Sequence, residues 1–401
     1  MKVTLAGLYM PGSGLTSVLM HLARYIAERA HVSLLAFDPR PGIARNLDIA
    51  GLRARMISVK GGRMTAEVNW LTELMLSDHP DFFLVTGPVF MARTLLEQLS
   101  PYRPKLRVAY YLPAEGSIVS KSILDLVGLT DDCVLFTECA RRDLVRLLES
   151  EPRTSTPMLH VIGHGVDQSV FCEMGLRENI SARHTIRQSF WPTEDPEEFV
   201  VLNVNRPYYR KRLDISIAGF GEFSKKHPRS RLVFHIGSVG KERLAELEHW
   251  KISSGAADKI TFLPGETLLS AIRLNELYNI CDVGLTTAMG EGWGLTPFEH
   301  ASTGAPQIVP DHTSFSENWR GAASMLPIVE QYPVFYEYSH MHVTSPRYVA
   351  SALEELAHDI DLRREMGIAA KTRAHNPALS WDKVGSRFFE ILNPKVPIPS
   401  G

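Results

Sequence analysis

The sequence predicts an α/β protein made of two doubly wound halves facing a central cleft. Three observations predict it. Short apolar runs alternate with segments of helical periodicity from Val3 to Phe136, the alternation stops across a polar stretch, and it starts again at Phe199. Alternation of this kind reads as βαβ units around a parallel sheet. Two such sheets leave a cleft at the C-terminal ends of their strands, where ligands bind in open α/β folds.

The elements follow in order. Val3–Leu8 reads as the first strand, and Leu15, Val18, Leu19, Leu22 and Ile26 then recur at helical spacing. Val32–Phe37, Phe82–Thr86, Val108–Tyr111 and Cys133–Phe136 are further strand candidates. Residues from about Glu173 to Glu198 are polar, contain Pro192 and Pro196, and offer no strand. The division expected is therefore 1–170, a linker or boundary region at 171–198, and a second domain at 199–378. In that domain strands are expected at Phe199–Val204, Leu232–Ile236, Ile260–Leu263, Val283–Thr286 and Gln307–Pro310. Helices are expected from Leu213, near Ala271–Asn279 and from near Pro297. The tail from Arg347 to Leu392 reads as mostly helical, broken at Asn376-Pro377.

Composition narrows the function. The 401 residues fit two or three domains at about 150 residues each. With 43 Lys plus Arg against 45 Asp plus Glu the net charge is −2, which argues against a general polyanion binder. Four cysteines without a C-x-x-C pair make neither a disulfide framework nor a zinc ribbon, and suggest a reduced, cytoplasmic protein. No run approaches the roughly 18 apolar residues that span a bilayer. The start, interrupted at Pro11-Gly12-Ser13-Gly14, is not expected to be a secretory signal. Peripheral membrane contact through a surface patch stays open.

Three motifs carry chemistry. Gly12 and Gly14 stand between the first strand and the first helix, where glycines let backbone approach a phosphate. An ordinary strand-to-helix turn would look the same. Arg206-Pro-Tyr-Tyr-Arg210-Lys211-Arg212 puts four cations at the end of a strand, a pattern suited to a diphosphate. A solvated charge cluster competes with that reading, as does a nucleic-acid surface in which Tyr208 and Tyr209 interleave the cations. Gly290-Glu291-Gly292-Trp293-Gly294-Leu295-Thr296-Pro297-Phe298-Glu299-His300 combines a glycine-rich turn with a helix start. Thr296 is expected as N-cap, Pro297 as the first helical residue and Glu299 as the capping-box partner. Glu291, among glycines and outside the helix, has no such structural role to fill and is the stronger ligand candidate.

These residues resemble the retaining GT-B glycosyltransferases of family 4, the glycosyl transferases group 1. Glu291 and Glu299 form an E-x7-E motif followed by Ala301, Gly304 and Pro306, and Arg206 and Lys211 have R-x4-K spacing. His164-Gly-Val-Asp167 with Phe171, the segment Leu274–Asp282 with Tyr278, and Ser380-Trp381 fall in the family's order. The resemblance covers nearly the whole chain, and is strong from Arg206 to Pro310 and weak from Asp38 to Pro104. It implies a GT-B fold of two Rossmann-like domains, with 1–170 on the acceptor side, 199–378 holding the donor, and 379–401 as a helix crossing back to the first domain plus a tail.

The resemblance also implies roles. Gly12 and Gly14 would face the donor phosphate, and Arg206 and Lys211 would neutralise the diphosphate. Glu291 with the Gly292, Trp293, Gly294, Leu295 and Thr296 backbone would hold the transferred sugar and β-phosphate. Glu299 would hydrogen-bond the ribose. Glu291, Arg206 and Lys211 are the catalytic candidates, since a departing diphosphate calls for cations and N–H dipoles where its charge develops. The activity implied is transfer, with retention, from a UDP- or GDP-sugar to an acceptor hydroxyl that the sequence does not identify. A nucleotide-sugar epimerase on the same architecture and a non-catalytic nucleic-acid-binding module using 206–212 are the alternatives. The region around Ala109–Gly116 lacks the family's frequent histidine, and Glu115 is the acceptor-side candidate there. No H-E-x-x-H occurs, Asp359-Ile-Asp361 falls in the helical tail, and neither a metal nor a cofactor is expected.

Overall fold

A computed structural model describes residues 1–38, 46–49, 51–60, 63–64, 75, 77–151, 153, 155–263, 269–334 and 338–393. The chain divides into two compact units. The first comprises Met1–Gly165, Phe335–Ser339 and Trp381–Gly401, and the second Val166–Val334 and His340–Ser380.

The first unit is built on β1 (Lys2–Leu8), β2 (His31–Asp38), β3 (Asn46–Ile49), β4 (Leu52–Lys60), β5 (Arg63–Met64), β6 (Phe82–Thr86) and β7 (Arg107–Leu112). A short β8 (Ser117–Ile118), β9 (Asp132–Leu135) and β10 (Met158–Val161) follow. The sheet order is β10-β9-β7-β6-β1-β2-β4-β3, with β5 on β4. Pairing is parallel except where β3 and β5 meet β4. β6 is buried along its whole length, as a parallel strand covered on both faces must be. The helix Gly14–Ala27 buries Val18, Leu19, Leu22, Ala23 and Ile26, the spacing that the sequence shows. The helix Trp381–Leu392 approaches it so closely that a side chain on Gly385 would collide with the Tyr25 ring. Trp381 stacks on His21 with ring centroids 4.3 Å apart. His164 receives or gives a 2.8 Å hydrogen bond at Tyr111 and packs on Phe136, a loop-packing role.

The second unit has β11 (Phe199–Asn203), β12 (Ser230–Phe234), β13 (Ile260–Phe262), β14 (Val283–Leu285), β15 (Gln307–Pro310) and β16 (Ser324–Leu326) in the order β13-β12-β11-β14-β15-β16. All pairs are parallel. The chain starts at the central β11, winds outward to β13, then returns to β14 on the other side of β11. The two Rossmann-like sheets agree with the expected α/β class.

Residues 171–198, read from sequence as a boundary region, lie within the second unit and carry the helix Ile180–Gln188. Their polarity concealed how they pack. Arg187 is fully buried and donates to the carbonyls of Ile280 and Glu198 at 2.9 Å and to Asp282 Oδ2 at 3.0 Å. Arg183 reaches the same carboxylate at 3.1 Å, and Val200 N–H donates to it at 2.8 Å. Asp359 is a helix junction, its carboxylate capping Ile360–Ala374 at Leu362 N–H, 2.8 Å away. Cys281 is fully buried, as expected of a core residue. The tail beyond residue 393 lies outside the described residues.

Candidate active site

The site is built where the winding of the second sheet reverses, between β11 and β14, the position at which open α/β sheets bind ligands. The loop after β11 carries Arg206, Arg210 and Lys211, and the loop after β14 carries Glu291 and the glycines. A buried polar lattice joins the two. Asn203 donates to Ser216 at 3.0 Å and Asn205 to Asn203 at 2.8 Å. Thr287 donates to the Arg212 carbonyl at 2.7 Å, and Met289 N–H to the Arg210 carbonyl at 2.8 Å. From behind, His312 bonds the Ala288 carbonyl at 2.8 Å through its ring and stacks on His342, whose backbone N–H donates to the Met289 carbonyl at 2.7 Å. Burial holds His312 neutral, pushing its pKa down to about 4. Arg212 has a left-handed backbone, φ 45°, where the loop turns into the helix Leu213–Ser224. Backbone strain of this kind clusters at functional sites.

This lattice brings two of the sequence candidates together. Lys211 Nζ donates to Glu291 Oε2, and Arg210 reaches the same oxygen at 3.3 Å. All three side chains are largely covered, 12%, 20% and 16% exposed for Lys211, Arg210 and Glu291. Burial would raise the Glu291 pKa, but the two cations outweigh it and bring it down to about 2. Arg210 also donates to the Gly290 carbonyl at 3.0 Å, and Ser314 Oγ donates to the Glu291 carbonyl at 2.6 Å. Arg210 was visible in the basic run, yet R-x4-K spacing alone passes over it. Nothing in the sequence marks Ser314. Arg206 stands at the start of the same loop, its carbonyl accepting from Tyr208 N–H at 2.8 Å.

The expected capping box is corrected. The helix spans Leu295–Ala301 and its N-cap is Gly294, left-handed at φ 89°. Thr296 and Pro297 lie inside the first turn. A Cβ on Gly294 would stand 2.8 Å from Phe315 Cε1, so any other residue at this bend is strained and forces its neighbour to shift. Gly292 and Trp293 are buried, with Trp293 stacked on Phe298 at 5.1 Å, while Leu295 and Thr296 are half-buried.

Glu299 accordingly caps nothing. Its Oε2 accepts from Tyr278 Oη at 2.9 Å. Burial raises its pKa to about 7, and the tyrosine hydrogen bond opposes that rise. Tyr278 is buried, stacks on His300 at 4.9 Å and meets Phe171 edge-on at 5.8 Å. Burial lowers the His300 pKa to about 3.

In the first unit, Gly12 (φ 74°) and Gly14 follow β1, beside β6, where that sheet's winding reverses. Ser13 caps the helix that Gly14 begins, accepting from Thr16 N–H at 3.2 Å. Glu115 is half-buried after β7. A cavity of about 1090 Å³ in this unit lies at the opposite end of the strands, at the starts of β6, β7 and β9, among Asp81, Arg107, Asp131 and Arg387. Arg103 there is tied to Asp131 at 2.7 Å and Arg107 to Asp132 at 2.7 Å. The position of ligand sites in open sheets outweighs cavity size, so the site is assigned to the strand C-termini. Among the described residues no group of three or more His, Cys, Asp or Glu is placed to hold a metal ion.

Residues 184–322 match the family model described as glycosyl transferases group 1. The chain is 26% identical over 159 residues to mannosylfructose-phosphate synthase of Agrobacterium fabrum, covering 38% of this chain and 33% of that one. It is 23% identical over 227 residues to D-inositol 3-phosphate glycosyltransferase of Paenarthrobacter aurescens, covering 56% and 49%. The chain thus spans about a third to about half the length of these curated relatives. Sucrose-phosphate synthase from Thermosynechococcus elongatus superimposes with a TM-score of 0.75 at 13% identity, covering 98% of both chains. Anabaena HepE, in complex with UDP and glucose, superimposes with a TM-score of 0.73 at 12% identity, covering 98% and 100%. The fold is that of GT-B glycosyltransferases.

Proposed function

We propose, from the glycosyl transferases group 1 match over 184–322, that the protein is a glycosyltransferase which moves a sugar from a UDP- or GDP-sugar to an acceptor hydroxyl, with retention and without a metal. The observation that carries the reading is the Lys211–Glu291 pair with Arg210, set across the β11/β14 reversal. In this reading Lys211 and Arg206 take the diphosphate, Glu291 and the Gly292–Thr296 backbone hold the transferred sugar and β-phosphate, and Glu299 takes the ribose. The acceptor hydroxyl attacks the anomeric carbon on the face that the diphosphate leaves, and the leaving phosphate oxygen takes its proton. The protein supplies positioning and positive potential where charge develops. HepE, crystallised with UDP and glucose, supports a UDP-sugar donor.

The nucleic-acid alternative loses ground. Arg210 and Lys211 are joined to Glu291, and Arg212 forms a two-pronged pair with Asp214, so three of the four cations face carboxylates. A cytoplasmic location accompanies the proposal, supported by four free cysteines. Among the described residues no helix is long and apolar enough to cross a membrane. Incubation with a panel of UDP- and GDP-sugars, read by release of free nucleotide and by NMR of the product anomer, tests the reading. Recovery of an interconverted nucleotide sugar with no transfer would replace it with the epimerase.

A further inference from the structure

We infer that Tyr278 is a positioning residue of the donor site: it holds Oε2 of Glu299 and so presents Oε1 as the acceptor for a ribose hydroxyl of the nucleotide. This deepens the nucleotide-sugar reading and rests on it. The geometry is one-sided. Oε2 takes the Tyr278 hydroxyl at 2.9 Å, and Oε1 takes no hydrogen bond from any described residue. A carboxylate free to turn about its last bond would point its outward oxygen in many directions, and the hydrogen bond to a fixed donor holds its plane in one.

The donor is fixed because its ring cannot move. Tyr278 is 1% exposed, lies flat on His300 at 19° between ring planes, and meets Phe171 edge-on. Its helix, Ala271–Ile280, is tied down where Asn279 donates to the Cys172 carbonyl at 2.9 Å and accepts from Met174 N–H at 2.8 Å. The titratable groups around the pair are Tyr278 itself, His300 on its ring, and Arg177 and Asp282, whose charges are felt at His300. Of these only Tyr278 touches the carboxylate, so the oxygen that faces outward depends on one hydroxyl.

The test is Tyr278→Phe, which keeps the ring and removes the hydroxyl. Calorimetry compares UDP with its 2′,3′-dideoxy analogue, with GDP and its dideoxy analogue run in parallel. The wild-type protein should prefer the ribose form of the base it takes by about tenfold or more, as a hydrogen bond to a charged group allows. Y278F should reduce that preference to within a few-fold and leave affinity for the dideoxy form unchanged. In a Glu299→Ala background the Y278F change should have no further effect. A second measurement needs no nucleotide: the carboxyl carbon of Glu299, followed by NMR titration, should titrate higher in Y278F. Full ribose preference in Y278F, or an unmoved Glu299 titration, overturns the inference while leaving the nucleotide-sugar reading intact. A wild-type protein that binds no nucleotide overturns that reading and this inference together, while the titration still reports the Tyr278–Glu299 bond.

Discussion

Gly294 and Phe315 are in mutual contact through the space where a side chain would be: a Cβ on Gly294 would lie 2.8 Å from Phe315 Cε1 and 3.5 Å from Glu291 Cγ. The left-handed bend at φ 89° thus connects the helix start to the orientation of Glu291. Gly294→Ala should cost about 1–3 kcal/mol through backbone strain and collision. It should also lower turnover by more than the loss of folded protein explains. Thermal melts and initial rates on the same preparation check both, and an alanine variant with normal rate would detach the bend from the site.

If Lys211 takes the diphosphate as proposed, Lys211→Ala should weaken nucleoside diphosphate binding by about 1.5–3 kcal/mol while scarcely touching nucleoside binding. Calorimetry with UDP and uridine, or GDP and guanosine, makes the comparison. Equal losses for diphosphate and nucleoside would give Lys211 a purely structural role as the partner of Glu291.

Glu291→Ala should abolish transfer. It also removes the counter-ion of Lys211 and Arg210, so it is not neutral for folding. The folded-state pKa of about 2 lies below the ordinary 4.5. The pair therefore contributes its stability in full above pH 4.5 and loses it as pH falls toward 2, by about 3 kcal/mol in all. Urea melts between pH 7 and pH 3 should show wild type losing stability faster than Glu291→Gln.

Glu299 has the opposite sign. Its pKa is raised to about 7 by burial, so its charged form costs stability above pH 7, and that cost disappears as pH falls toward 4.5. Glu299→Gln should therefore raise the melting temperature at pH 8 and leave it nearly unchanged at pH 4.5. A variant less stable at pH 8 would contradict the burial argument.

Turnover should persist in excess EDTA, because Arg210 and Lys211 already supply positive potential beside Glu291. Rates measured before and after chelation, then with added magnesium or manganese, decide it. Activity that appears only with the divalent ion would contradict the proposal.

Much of this architecture is legible in the sequence. Phe82–Thr86 and Gln307–Pro310 form strands with the expected bounds, each around the apolar centre, Phe82–Val85 and Ile308–Val309, that a strand buried on both faces needs. The edge strand Met158–Val161 escapes notice, since none of its four residues is buried and His160 interrupts its short apolar run. The helix Ile180–Gln188 escapes because its buried face includes Arg187, an arginine that only a partner as distant in sequence as Asp282 explains. Thr296-Pro297 imitates a cap, and only the backbone at Gly294 shows the turn occurring earlier. The pairing of Lys211 with Glu291 could not be read from spacing, because it depends on β14 returning to the side of β11.

That return orders events during synthesis. Lys211 and Glu291 are 80 residues apart, so at about 5–20 residues per second the ribosome takes roughly 4 to 16 seconds to supply the second after the first. Once Ser230–Phe234 has been made, β12 can cover one side of β11, but until Val283–Leu285 follows, the side that β14 will occupy is an open edge of apolar strand, Phe199–Asn203. Open edges of that kind template pairing with other chains. A chain that stalls or is cut between the two strands exposes such an edge and lacks the carboxylate that neutralises its own cations.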